Sequence, residues 1–225
     1  SSSNRCRNYT YAPIGGLNMA SNFPPFSKEA LGKLELYHDL LISWQKKYNL
    51  VGPSTLKDIW ERHFIDSAQL FSLLPEQYRD KPVYDIGSGA GFPGMVLAIM
   101  GRRDLVLCES SSKKCAFLEE VKKKTKTNVI IDNIRAESLP SCSAIAITAR
   151  AVTSLSGLLY LSIPLLTKKG VCIFPKGINW KKELLFAQKR FHIDYKVVES
   201  ITSKDSSIII INRAERINAF KKNKK

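Results

Sequence analysis

The hydrophobic pattern changes period near Pro82. Before it, Leu31, Leu34, Tyr37, Leu41 and Trp44 recur at helical spacing, which predicts a helix to about Lys47. Ser27 is its expected cap; Ala30 rather than Glu stands three positions on, so the cap is a plain one. A second helix is predicted from about Leu56 to Leu74, on Ile59, Trp60, Phe64, Ile65, Ala68 and Phe71. Tyr48–Pro53 connects the two, and Pro75 and Pro82 bracket the join to the next unit.

From Val83 onward, short apolar runs alternate with helical stretches. Strands are predicted at 83–87, 104–109, 128–133, 144–149, 170–174, 192–199 and 206–212. Helices fit between them at 93–100, 112–125, 154–166 and 179–190. This alternation implies a mostly parallel sheet with helices on both faces. The last two strands are joined through Thr202-Ser203-Lys204-Asp205, a link short enough only for an antiparallel hairpin. The chain divides into an irregular N-terminal extension (1–26), a helical region (27–80), a Rossmann-like domain (81–216) and a basic tail (217–225).

Composition narrows the class. A hydrophobic content of 44% in 225 residues supports a packed core. The net charge of +15, from 35 Lys+Arg against 20 Asp+Glu, favours a polyanionic partner, with nucleic acid ahead of a membrane surface. No apolar run is long enough to span a bilayer. The cysteines at 6, 108, 115, 142 and 172 form no Cys-x-x-Cys pair, which points to a reducing, cytoplasmic setting. His38, His63 and His192 show no metal spacing. The N-terminus lacks the apolar segment of a secretory signal, and Met19 is a candidate natural start.

The chemistry concentrates at Asp85-Ile86-Gly87-Ser88-Gly89-Ala90-Gly91-Phe92-Pro93-Gly94, between a strand and a helix. Glycines there let a ligand approach the backbone, and the amides of the helix start face it. Gly89-x-Gly91-x-x-Gly94 satisfies the dinucleotide spacing, so spacing alone does not decide the ligand. Asp85 is expected to face the ligand and to repel a pyrophosphate, which favours S-adenosylmethionine over NAD. A parallel sheet closed by a C-terminal hairpin is also the plan of the class I S-adenosylmethionine-dependent methyltransferases. Glu109, at the end of the second strand, is placed to accept hydrogen bonds from a ribose diol. Ala136 and Glu137 follow the third strand, where a backbone amide could read an adenine edge.

Arg150 ends the fourth strand, beside the position of a transferred methyl, where it is expected to orient base or cofactor. The Asn/Asp-Pro-Pro-aromatic grip of exocyclic-amine methylation is absent there. Neither Cys142 nor Cys172 is placed to serve as the nucleophile that pyrimidine-carbon methylation needs. An acceptor with its own lone pair remains, and guanine N7 fits. Arg62, His63, Lys113, Lys114 and Lys176 are candidates for RNA contact. Arg62 and Asp66 stand four apart on a predicted helix and can pair; His63 reads more readily as a packed histidine than as a base.

These pieces together resemble the bacterial small-subunit ribosomal RNA guanine-N7 methyltransferases, the RsmG or GidB family, from about Leu34 to Asn212. Its marks are Trp44 with Tyr48-Asn49-Leu50, the block Trp60–Ser67, the turn Asp85–Gly94, and Glu109-Ser110 with Lys113-Lys114 and Phe117-Leu118. Arg150-Ala151 and Lys176-Gly177 complete them. The resemblance implies cofactor contacts at Gly87, Phe92, Ala136, Glu137 and Arg150. It also implies 16S rRNA or the 30S subunit as partner, with no membrane and a monomeric enzyme. Val51, Ala149 and Pro175 depart from the family pattern, all away from the glycine turn. The alternatives are a class I methyltransferase with a small-molecule acceptor, a non-catalytic ribosome-assembly factor that binds RNA, and a nicotinamide-dependent enzyme. The basic charge argues against the first, the intact turn with Glu109 against the second, and Asp85 against the third.

Overall fold

A computed structural model of the chain describes residues 26–78 and 80–217. The extension expected over 1–26 and the tail over 217–225 lie outside the described residues, apart from Phe26 and Ile217.

Helix α1 (Lys28–Gln45) opens on the expected cap: Ser27 Oγ accepts from the Ala30 amide at 3.0 Å. Its apolar face, Ala30, Leu34, Tyr37 and Leu41, is buried. Gln45 then turns the chain. Its Oε1 accepts from the amides of Leu50 (2.9 Å) and Val51 (3.0 Å), and its Nε2 donates to the Val51 carbonyl (3.0 Å).

The predicted second helix does not form as one unit. Its place is taken by a 3-10 turn (Pro53–Asp58), a π-helical turn (Trp60–Ile65), the single α-turn α2 (Asp66–Ala68) and a 3-10 turn (Phe71–Leu73). The apolar spacing gave only an average period. The π turn buries His63 and Phe64.

The Rossmann-like part runs β1 (Val83–Ile86), α3 (Gly94–Ile99), β2 (Leu105–Cys108), α4 (Ser112–Thr125), β3 (Ile130–Asp132), β4 (Ala144–Thr148), α5 (Leu155–Ser162), β5 (Leu166–Lys176), α6 (Trp180–Gln188), β6 (Phe191–Glu199) and β7 (Ser207–Arg216). The strands form one sheet in the order β3-β2-β1-β4-β5-β7-β6. The first five are parallel, and β7 runs antiparallel between β5 and β6. Two strands exceed their predicted lengths: β5 begins at Leu166, with an irregular register against β4, and β7 extends to Arg216. One core lies between the sheet and α1, α3 and α4, the other between the sheet and α5 and α6. The strand order reverses between β1 and β4, so their carboxyl ends open the crevice where ligands bind in such sheets.

Candidate cofactor turn and acceptor edge

The turn after β1 is built around a buried carboxylate. Asp85 is fully buried; its Oδ1 accepts from Thr148 Oγ1 at 2.8 Å and its Oδ2 from the Gly94 amide at 3.1 Å. The Ser88 hydroxyl donates to the Asp85 carbonyl at 2.7 Å. Burial pushes the Asp85 pKa up to about 6, against these hydrogen bonds, which pull it down. Asp85 therefore does not face the ligand space. Its oxygens tie β4 to β1 and hold the start of α3. It shapes the turn from within.

The glycines divide in the same way. Gly89 has φ +59°, and a Cβ there would meet only the Gly87 carbonyl oxygen, at 3.9 Å. This is the open face of the turn. Gly87 (φ +63°) is covered by Val152, whose Cγ2 would lie 2.6 Å from an added Cβ. Gly91 instead faces the core, where an added Cβ would come 2.8 Å from Leu118 and 2.9 Å from Met95. Gly94 has Asp85 Oδ2 at 2.7 Å from such a position. Gly91, expected at the ligand, is thus a packing glycine: the motif's second glycine lets α1, α3 and α4 close on the turn, and its third lets the start of α3 approach β1 and β2. The Tyr37 hydroxyl donates to the Ala90 carbonyl, so α1 clamps the turn from below.

Glu109 is where the sequence placed it. Its Oε2 accepts from the Gly89 amide and its Oε1 from the Ser111 amide, both at 2.8 Å. Each carboxylate oxygen keeps a further lone pair. Ala136 and Glu137 open a short 3-10 turn (Ala136–Ser138) after β3, and the first amides of such a turn have no helical acceptor.

Phe92 does not line the open face. Its side chain is 4% exposed, stacked on Tyr37 (5.3 Å between ring centroids) and on His63 (5.0 Å) and edge-on to Phe64 (5.2 Å). On this aromatic base rests Arg150, its guanidinium carbon 5.1 Å from the Phe92 centroid.

Arg150 is held on three sides. Its Nη1 donates to the Arg62 carbonyl at 3.0 Å and lies 3.5 Å from Asp66 Oδ2. Its Nη2 lies 2.6 Å from His63 Nδ1. Guanidinium has no acceptor, so His63 Nδ1 accepts. The proton of the neutral ring then sits on Nε2, which donates to Thr55 Oγ1 at 2.8 Å; Thr55 in turn donates to the Gly52 carbonyl at 2.7 Å. Burial, helped by Arg150 and Arg62, lowers the His63 pKa to about 3, so the ring is neutral at physiological pH. Burial also lowers the Arg150 pKa, and Asp66 opposes that shift.

Several expected partners move. The Arg62–Asp66 pair does not form: the π turn breaks the α-register, Arg62 is exposed, and Asp66 serves Arg150. Asp66 Oδ1 also accepts from Gln69 Nε2 and Thr202 Oγ1, each at 2.8 Å, and the Ile201 amide donates to Gln69 Oε1 at 3.0 Å. The β6–β7 turn is thus tied to the Arg150 network, through Gln69 and Thr202, which the sequence reading did not single out. Lys176 is not a free phosphate ligand. Its Nζ donates to Glu183 Oε2 at 2.8 Å and to the Thr153 carbonyl at 3.1 Å, with its side chain 8% exposed. Lys113 is exposed, lying 5.8 Å from the half-open Tyr48 ring, and Lys114 is half-buried at the start of α4.

Comparison with known proteins places this arrangement. The family model for GidB, rRNA small subunit methyltransferase G, matches residues 30–211. The chain belongs to this family. It is 44% identical over 190 residues to the ribosomal RNA small subunit methyltransferase G of Paramagnetospirillum magneticum, covering 84% of this chain and 92% of that one. The Gluconobacter oxydans protein of the same name is 38% identical over 191 residues, covering 85% of this chain and 97% of that one. Among solved structures, a SAM-dependent methyltransferase from Aquifex aeolicus shares the fold, with a TM-score of 0.51 at 15% identity, over 72% of this chain and 97% of the other. The chain is therefore a methyltransferase of class I architecture with an N-terminal helix. Among the described residues no helix is long and apolar enough to cross a membrane.

Proposed function

We propose that this chain transfers a methyl group from S-adenosylmethionine to N7 of a guanine in small-subunit (16S) rRNA. The observation that carries the reading is the pairing of an open, positive-φ Gly89 with Glu109, whose carboxylate already grips the Gly89 amide. The residues fit an adenosyl ligand. The Gly87–Gly89 backbone would lie against its methionine part, Glu109 would take the ribose hydroxyls, and the Ala136–Glu137 backbone would take the adenine edge. When bound, the cofactor supplies an electrophilic methyl on a sulfonium.

The acceptor follows from what surrounds that methyl. Burial holds the Cys172 thiol up at about 12 and raises Cys108 as well, and Cys115 donates its S–H to the Glu109 carbonyl. Cys142 sits before β4, at the other edge of the sheet. No thiolate therefore stands at the acceptor edge among the described residues. A ring nitrogen with its own in-plane lone pair needs alignment rather than activation. Arg150, fixed beside the turn, supplies a positioned donor for the guanine O6 or for a phosphate. The enzyme acts as a monomer in the cytoplasm, on rRNA or the 30S subunit.

Mass mapping of small-subunit rRNA treated with the protein and S-adenosylmethionine tests this. One guanine should gain a methyl on N7, a nitrogen that carries no hydrogen, and the cationic base that results should be labile to aniline scission. Methyl incorporation with no scission, or on a pyrimidine, would sink the N7 assignment.

A further inference from the structure

The edge of the sheet opposite the glycine turn carries an uncompensated cationic and aromatic patch. At the end of α6, the Arg190 guanidinium lies 3.9 Å from the Phe186 ring centroid. At the end of β7, the Arg216 guanidinium lies 4.3 Å from the Tyr160 centroid. The two stacks are contiguous. Tyr160 meets Phe191 edge-on at 4.8 Å, Phe191 pairs with Arg216 across β6–β7, and the Ile217 amide donates to the Arg190 carbonyl at 2.8 Å. Phe186 is 47% exposed and Tyr160 41%.

Three of the other described arginines are ion-paired, while Arg62, Arg103 and Arg135 are not. Arg102 is held by Asp104, Arg150 by Asp66 and Arg213 by Glu215. Among the described residues, Arg190 and Arg216 make no ion pair. Lys182 and Lys189 are exposed on the same helix, whose single acid, Glu183, is occupied by Lys176. Glu215 alternates to the other face of the sheet. The result is two exposed guanidinium groups resting over rings, with no carboxylate paired to either.

We infer that this patch is a second RNA-binding surface, gripping rRNA remote from the methylated base; the inference rests on the rRNA reading proposed above. Unpaired bases stack on arginine planes as they do on aromatic rings, and the same guanidinium edges meet phosphates. Holding each arginine against its ring before RNA arrives reduces the ordering cost of binding. The eleven residues of β5 span the sheet from edge to edge. At about 3.3 Å per residue the two surfaces therefore stand roughly 30 Å apart, a separation that a structured RNA bridges and a short hairpin does not.

The test compares wild type with the Arg190→Gln/Arg216→Gln double variant and with Phe186→Ala. Four quantities are measured: methyl transfer to naked 16S rRNA, transfer to a short hairpin carrying the target guanine, transfer to 30S subunits, and S-adenosylmethionine affinity by calorimetry. The double variant should raise KM for naked rRNA roughly tenfold and flatten the log–log salt dependence of binding by about 1–2. Phe186→Ala should raise KM roughly threefold. Transfer to the hairpin and cofactor affinity should stay unchanged, which also excludes misfolding. Unchanged KM and salt slope on naked rRNA, with wild type active, would overturn the second surface alone. A defect seen only with 30S subunits would also overturn it and assign the patch to a ribosomal protein. If wild type neither binds nor methylates rRNA, the failure lies in the functional reading instead.

Discussion

Arg150 Nη2 lies 2.6 Å from His63 Nδ1, so a neutral histidine acts as hydrogen-bond acceptor for an arginine at the acceptor edge. Two cationic groups would repel there; burial keeps the imidazole uncharged and usable. The relay through Thr55 to the Gly52 carbonyl fixes the tautomer that makes this possible. Arg150→Ala should cut turnover at least about tenfold through lost alignment. His63→Ala should lose part of the same activity by freeing the arginine. Steady-state kinetics on rRNA decides, and a wild-type rate in Arg150→Ala would remove this residue from the reaction.

The same pair makes a pH prediction. His63 has a pKa of about 3 in the fold, against 6.5 for the free side chain. Between those values the unfolded chain binds the additional proton. Stability from the neutral imidazole is therefore complete above pH 6.5 and drains as the pH falls toward 3, at up to about 1.4 kcal/mol per unit. Asp85 works in the opposite sense: raised to about 6, its contribution grows as the pH falls through 6 toward 3.8. His63→Gln keeps an acceptor for Arg150 and does not titrate. The difference in Tm between wild type and this variant should narrow from pH 7 to pH 5. A constant difference would mean that His63 is not buried neutral.

The glycines of the turn should separate by function. Gly89→Val fills the open face and should abolish S-adenosylmethionine binding while the fold survives, at a backbone cost of about 1–2 kcal/mol for φ +59°. Gly91→Ala should instead destabilise by about 1–3 kcal/mol or more, because its Cβ meets Leu118 and Met95. Thermal unfolding and calorimetry on both variants check this. Equal loss of binding and stability in the two would erase the distinction.

That division was only half legible in the sequence. The strand–turn–helix context exposed the turn, and the carboxylates Asp85 and Glu109 were visible at the right strand ends. Which face each glycine presents depends on backbone φ and on what packs behind, and Tyr37 and Leu118 come from elements far along the chain. Asp85 was misread for the same reason: its partners Thr148 and Gly94 converge only in three dimensions. The strands were legible because their apolar runs are short and well punctuated. The region 56–74 was not, since an apolar period near 3.6 does not reveal a π turn, and that turn is what redirects Asp66 from Arg62 to Arg150.

Glu109→Ala should weaken S-adenosylmethionine binding by about 1–3 kcal/mol, through lost hydrogen bonds to the ribose and a loosened Gly89 amide. Glu109→Gln should retain part of the affinity, because one amide oxygen still accepts. Calorimetry showing unchanged affinity in the alanine variant would place the ribose elsewhere.

Lys176 and Lys113 should give opposite phenotypes. Lys176 closes a bridge: Glu183 Oε2 accepts from it at 2.8 Å and from the Leu155 amide at 2.8 Å, and the Thr153 carbonyl accepts from its Nζ. Removing it leaves a half-buried carboxylate short of its cation at the start of α5. Lys176→Ala should therefore lower stability by about 1–3 kcal/mol, with little change in the salt dependence of rRNA binding. Lys113 is exposed above the Tyr48 ring and has no such structural duty. Lys113→Ala should leave stability within about 0.5 kcal/mol of wild type and flatten the log–log salt slope by up to about 1. The two measurements together are decisive. A flattened slope in Lys176→Ala at wild-type Tm would return that lysine to the RNA surface and discard the bridge as its role.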